Sequence, residues 1–201
     1  MRELPILFND ESVRGILAGR KTQTRRVIKP QPSAGIRRSV FVPSGIEDGH
    51  GRELRWPYEI GDHLYVRETV VRKPNCHCIS WATYGADLSP MIGPPEKQLL
   101  GRAMWWHGEH RDVCPSIFMP KWATRLWLEV LEVRVERVQD VSMHDALAEG
   151  ADPKYSDFHD GSHCVGWFKR IWDNLSAKRG FAWDMNPWVW VIEFKRLESK
   201  L

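Results

Sequence analysis

Residues 126 to 138 limit the possible folds more than any other stretch. Leu126, Leu128 and Val130 alternate, then Leu131, Val133 and Val135 alternate in the opposite phase. A period of two is a strand, and a one-residue change of phase near Val130 is what a β-bulge produces. A strand this long needs partners. Leu4 to Phe8, Thr22 to Ile28, the run from Leu64 to Val70, and WVWVIEF at 188 to 194 all read as strands. Helices are fewer. Asn9 caps a first one, with Phe8 and Val13 at staple positions, Val13, Ile16 and Leu17 as its stripe, and Gly19 as its stop. Ser142 and Asp145 have capping-box spacing for a second, which Gly150 ends. Ser162 opens a third, with Phe168, Ile171, Trp172 and Leu175 on one side. Strands outnumber helices, and the two alternate too irregularly for a doubly wound sheet. The expected class is α+β, a small bulged β-barrel with flanking helices.

At 201 residues the chain reads as one domain spanning 1–201. Two stretches interrupt it and read as long insertions, at about 29–58 and 72–120. The first is rich in Pro, Gly and Ser. In the second, PSIFMPKWATR reads as an ordered loop packed through Phe118, Met119 and Trp122. Hydrophobic residues make up 42%, enough for a core. No run approaches the roughly 18 apolar residues that cross a bilayer. The N-terminus, MRELPILFNDES, lacks the pattern of a signal peptide. The expectation is a cytoplasmic protein with no membrane partner.

Charge points to a site. The net charge is +3, yet residues 20 to 38 carry Arg20, Lys21, Arg25, Arg26, Lys29, Arg37 and Arg38 with no acid among them. Such a cluster is either a solvated face or a place for phosphates. The stretch GILAGRKTQTRR concentrates it, with Lys21, Thr22, Thr24, Arg25 and Arg26 where a helix gives way to a strand. Glu68 raises a second question. In a strand it shares a face with Leu64, Val66 and Val70, an awkward place for a carboxylate unless it is functional or paired with an arginine. Glu149 falls in the last turn of its helix, where the dipole disfavours a negative charge. Most of the 11 tryptophans read as core, with Trp122 a candidate to stack on a base. Cys76, Cys78, His107 and His110 invite a metal reading, but C-x-C is not a usual zinc spacing. The four cysteines make no disulfide framework. No cofactor or metal is expected.

ILAGRKTQTRR resembles the N-terminal motif of the ASCH-domain family of the PUA-like superfamily. GDHLYV resembles that family's Gly-Asp strand, VSMHDALAEGAD its short helix ending in an acid, and WVIEFKRL its last strand. The chain also resembles ASCH proteins carried by temperate phages of enteric bacteria, which implies a bacterial host cell. The resemblance implies a PUA-like barrel whose partner is a nucleoside or nucleic acid, RNA more than DNA. One branch of the family hydrolyses N4-acetylcytidine to cytidine and acetate with Lys, Thr and Glu. By resemblance these are Lys21, Thr24 and Glu149. Substrate contacts would come from Arg20, Thr22, Arg25, Arg26, Arg67, Glu68 and Trp122. Here Gly61 follows Thr24 by 37 residues, whereas the small amidohydrolases join these segments closely.

The chemistry is coherent on its own. A hydroxyl needs a base beside it to attack, and a lysine serves when burial or neighbouring cations lower its pKa. Residues 21 and 24 of a regular strand face opposite ways, so Lys21 must belong to an irregular junction after Gly19. Two other readings compete with the amidohydrolase. One is a non-catalytic PUA-like binder of RNA or modified DNA, with an open groove of Arg25, Arg26, Arg37 and Arg38. The other is a ribonuclease in which Glu68 and Glu149 hold a metal.

Overall fold

A computed structural model describes residues 1–72, 82–91, 113–152 and 162–198. In chain order they form β1 (Glu3–Leu7), α1 (Asp10–Leu17), β2 (Gln23–Val27), β3 (Ile36–Arg38), β4 (Ile46–Asp48), β5 (His63–Arg67), β6 (Val70–Arg72) and β7 (Ala82–Tyr84). Then follow β8 (Val113–Cys114), β9 (Trp127–Arg137), α2 (Met143–Ala148), α3 (Ser162–Ser176) and β10 (Trp188–Leu197). The class is α+β. The described residues within 1–19, 63–129 and 196–201 make one compact unit, and those within 20–62 and 130–195 make a second.

In the first unit β1 runs parallel to β5, from Glu3 opposite His63 to Leu7 opposite Arg67. β5 pairs antiparallel with the start of β9, Leu64 opposite Leu128. The connection from β1 is α1. Asn9 caps it by accepting from the Ser12 N–H at 2.9 Å. Gly19 ends it at φ 71°, a conformation that suits a residue without Cβ. Ile6, Phe8, Val13, Ile16, Leu64, Val66, Leu126 and Leu128 are all buried. A second cluster gathers Val70, Tyr84, Met91, Cys114, Met119 and Ala123 under β6, β7 and β8. PSIFMPKWATR packs there through Met119 and the partly buried Trp122, as expected, while Phe118 stays exposed.

In the second unit β10 pairs antiparallel with β2, Ile192 opposite Thr24 and Trp190 opposite Arg26. Directly opposed residues share a face. Thr24, Arg26, Trp190 and Ile192 therefore point one way, and Gln23, Arg25, Val27, Val189 and Val191 the other. The latter face meets the helices, where Val189, Val191, Ala146, Cys164, Phe168 and Trp172 form one cluster. Within residues 29–58, β3 and β4 form an antiparallel hairpin, Arg37 opposite Glu47.

The barrel does not close among the described residues. In the first unit the row of pairings ends at β1, in the second at β2, so each unit keeps an edge strand. Alternation gives the existence of strands, but closure depends on tilt and stagger around the whole row, which alternation does not encode. Among the described residues no helix is long and apolar enough to cross a membrane.

Candidate functional site

The site is at the junction between Gly19 and β2, within the second unit. Lys21 precedes β2, which begins at Gln23. Thr22 anchors the junction through its backbone. Its N–H donates to the Ala148 carbonyl at 2.9 Å, and its carbonyl accepts from the Phe194 N–H at 2.8 Å. Lys21 thus lies in irregular backbone, as its proposed chemistry required, and its side chain is free of the strand's alternation.

That side chain reaches the end of α2. The helix opens on the expected capping box: the Asp145 N–H donates to Ser142 Oγ at 3.1 Å and the Ser142 N–H to Asp145 Oδ2 at 3.0 Å. It closes on Glu149, after which Gly150 turns at φ 110°. Lys21 Nζ donates to Glu149 Oε2 at 2.6 Å and to the Glu149 carbonyl at 2.9 Å. One ammonium therefore satisfies an orphan carbonyl at the helix C-terminus and pairs with the carboxylate that the helix dipole disfavours. The two side chains are only 5% and 6% exposed. Burial lowers the Lys21 pKa. Glu149 opposes this, and Arg26 and Arg25 reinforce it.

Arg25 comes from the helix-facing side of β2, and its side chain is 1% exposed. It meets three carboxylates, Glu136 at 3.0 Å, Asp145 at 3.4 Å and Glu149 at 3.5 Å. Its guanidinium lies over the Phe168 ring, 5.6 Å from the centroid. Its Nε is buried without a hydrogen-bond partner among the described residues. A second arginine fixes the carboxylates. Arg134 binds Glu136 Oε1 at 2.5 Å and Asp145 Oδ1 at 2.9 Å, and also Glu193. Gln23 donates to Asp145 Oδ1 at 3.1 Å. Burial pushes the Asp145 carboxyl up, but hydrogen bonds from Ser142, the charge of Arg25 and Gln23 more than offset it, bringing it to about 2.

The other expected site residues are placed as follows. Thr24 is buried on the opposite face of β2 from Arg25. Arg26 shares Thr24's face and still shifts Lys21. Its own pKa is lowered by burial, partly opposed by Tyr58 and Glu149. Arg20 is exposed. Three residues belong to the first unit. Arg67 donates to the Met119 carbonyl at 2.8 Å and also to that of Ile117. Trp122 packs on the second cluster. Glu68 is 0% exposed and takes a two-pronged grip from Arg125, 2.8 Å at each oxygen. The arginine-paired reading of Glu68 describes this arrangement. Cys76, Cys78, His107 and His110 lie outside the described residues.

Lys21, Arg25 and Glu149 are thus brought together, while Arg134 and Glu136 join them unforeseen. Their signal was available in VLEVRVER, where Arg134 and Glu136 share one face of β9. The apolar alternation drew attention to the other face. Among the described residues no three His, Cys, Asp or Glu side chains gather where a metal could be held.

No family model matches the chain, and no curated protein matches it. Solved structures do. Over 97% of its length the chain is similar to an ASCH domain from Lactobacillus crispatus JV V101, covering 79% of that chain at 12% identity and TM-score 0.40. Over 98% it is similar to a DUF984 protein from Enterococcus faecalis V583, covering 80% of that chain at 12% identity and TM-score 0.38. The chemistry of the site rests on its own geometry.

Proposed function

We propose that the protein is an amidohydrolase that removes the acyl group from N4-acylated cytosine-type nucleosides, with Lys21, Thr24 and Glu149 as its reacting groups. The observation that carries this reading is the buried 2.6 Å contact between Lys21 Nζ and Glu149 Oε2. Moving one proton across that contact turns an ion pair into a free amine and a carboxylic acid. These are the base and the acid that amide hydrolysis needs, and burial makes the Lys21 proton easier to give up. The flanking arginines push the same way on Lys21.

Thr24 lies on the face of β2 opposite Arg25, so the step requires the Lys21 amine to turn from Glu149 towards Thr24, where it takes the hydroxyl proton as Thr24 Oγ bonds to the acyl carbon. Collapse of the tetrahedral intermediate breaks the C–N bond, and Glu149 gives its proton to the departing N4 amine. Water then attacks the acyl-threonine ester as Glu149 takes one of its protons, the ester C–O bond breaks as Lys21 returns its proton to Thr24 Oγ, and acetic acid leaves with the starting pair restored. The competing binding-groove reading has to do without Arg25, whose side chain is turned inward on carboxylates.

The test is hydrolysis of N4-acetylcytidine, followed by chromatography, for the wild type and for Lys21→Ala, Thr24→Ala and Glu149→Ala. Circular dichroism checks each fold. Each substitution is expected to lower turnover by roughly 10²-fold or more. Absence of turnover by the wild type, or turnover indifferent to Lys21→Ala and Glu149→Ala, overturns the reading. Loss with those two but not with Thr24→Ala assigns the attack to water.

A further inference from the structure

The β3–β4 hairpin has no role in the site, yet it carries the two most exposed large apolar side chains among the described residues. Val40 is 93% and Phe41 92% exposed. The tip that presents them is ordered. The Ser39 N–H donates to the Gly45 carbonyl at 2.9 Å, and the Gly45 N–H to that of Val42 at 3.0 Å. The Phe41 N–H donates to Ser39 Oγ at 3.2 Å and the Ser44 N–H to Glu53 Oε1 at 3.0 Å. At the base, the Asp48 carboxylate accepts from the His50 and Arg52 N–H groups at 3.1 and 3.0 Å. A Cβ on Gly49 would run into the Ala34 carbonyl, so the chain closes tightly there. Trp56 ties the hairpin to the sheet. Its Nε1 donates to the Ser44 carbonyl at 2.8 Å, and its ring meets Trp190 at 5.0 Å. Trp190 is directly opposite Arg26, on the face that also carries Thr24.

The exposed charge of the hairpin is basic. Its strands carry Arg37 and Arg38 against Glu47 and Asp48, but both acids are buried and paired, Glu47 with Arg37 and Asp48 with Arg52. Arg38 is exposed, and no carboxylate pairs with it among the described residues. Arg37 is held by Glu47 through Nε at 2.7 Å, which orients the guanidinium and leaves both terminal amino groups for another anion. An exposed aromatic ring on a stiff support beside two arginines suits one kind of partner. The ring offers a face to an unpaired base, and the guanidinium groups meet phosphates.

We propose that the β3–β4 hairpin binds single-stranded nucleic acid, with Phe41 stacking on a base and Arg37 and Arg38 holding the neighbouring phosphates. This does not depend on the hydrolase reading, because Phe41, Arg37 and Arg38 have no part in the hydrolysis proposed. Its consequence for that reading is a substrate base carried in a polymer.

The test is fluorescence anisotropy with a labelled single-stranded oligonucleotide, in RNA and in DNA, against the same sequence as duplex. Single strands are expected to bind more tightly than duplex, and affinity should fall steeply between about 50 and about 200 mM salt. Phe41→Ala should weaken binding by about tenfold. Arg38→Ala should lower the slope of log affinity against log salt by about one. Both positions are exposed, so the variants should keep the wild-type dichroism and the wild-type rate on free N4-acetylcytidine. Loss of that activity alone leaves the binding proposal standing. No binding of single strands at low salt overturns it, as does binding indifferent to both substitutions. Phe41-dependent binding to phosphatidylserine vesicles without binding to oligonucleotides also overturns it.

Discussion

Each unit buries a carboxylate against a cation, and the two pairs differ in what the cation can do. In the first unit Glu68 is gripped by Arg125, which also holds Asp87 at 2.8 Å and lies over the Tyr84 ring at 4.0 Å. Burial raises the Glu68 pKa. Arg125 opposes this, and Asp87 and Asp10 add to it. Arg125 itself is held further into its charged form, because the gain from Glu68 and Asp87 exceeds the cost of burying it. A guanidinium does not surrender its proton, so this is a fixed strut. In the second unit the cation is a lysine. Burial and two arginines weaken its hold on the proton, and its carboxylate partner is also contested by Arg25. Similar burial makes a fixed pair in one case and, in the proposed hydrolysis, a proton-exchanging pair in the other. The difference is between a planar fork and a primary amine.

The largest effect should come from breaking the strut. Arg125→Met leaves Glu68 buried and unpaired, and is expected to cost about 3–5 kcal/mol of stability in urea unfolding near neutral pH. The cost should shrink in acid as Glu68 takes a proton. The double change Arg125→Met with Glu68→Leu should recover much of it. A small loss in the single variant would show that Glu68 is neutral in the native protein.

Lys21→Met should cost less, about 2–3 kcal/mol, because Arg25 remains beside Glu149. Under the proposed hydrolysis it should also abolish turnover of N4-acetylcytidine. A stability loss equal to that of Arg125→Met would erase the contrast between the two pairs.

The smallest effect is a pH dependence. Asp145 is held at about 2 against an ordinary 3.8, so the native state binds its proton less readily than the unfolded chain. Its contribution is present above the ordinary value and is lost as pH falls through the native one. The expected size is on the order of 2 kcal/mol. Comparing urea midpoints of wild type and Asp145→Asn on either side of that window should show a shallower acid limb in the variant. Identical limbs would remove Asp145 from the set of native-state carboxylates that matter in acid.

Local order in this chain was legible because local signals carry it. Asn9, Gly19, the Ser142–Asp145 box and Gly150 each satisfy or release backbone groups within a few residues, and all behave as their spacing predicts. Two arguments about sidedness were also legible. An inward Glu68 had to be paired, and Lys21 had to leave the strand register to act with β2 residues. The carboxylate network was harder to see. Arg134 and Glu136 are 111 residues from Gln23 and Arg25, respectively, and meet them only because residues 130–137 of β9 and β2 belong to one unit. Trp122 read equally well as a stacking platform or as core, since an indole fits both until its neighbours are known. Phe41 lies in the 29–58 stretch, whose Pro, Gly and Ser mark a loop or insertion, and that pattern does not distinguish an exposed ring from a packed one.

The sequence by itself determined the elements, their caps, the basic character of residues 20 to 38 and the need to neutralise Glu68, because each follows from periodicity, backbone hydrogen bonding or the cost of a buried charge. Only the tertiary structure decided which cation meets which carboxylate, which face of β2 carries Thr24, and that the hairpin tip faces solvent. Those outcomes depend on contacts between residues far apart in the chain, where side-chain reach and the exclusion of water set the energies and local pattern carries no information.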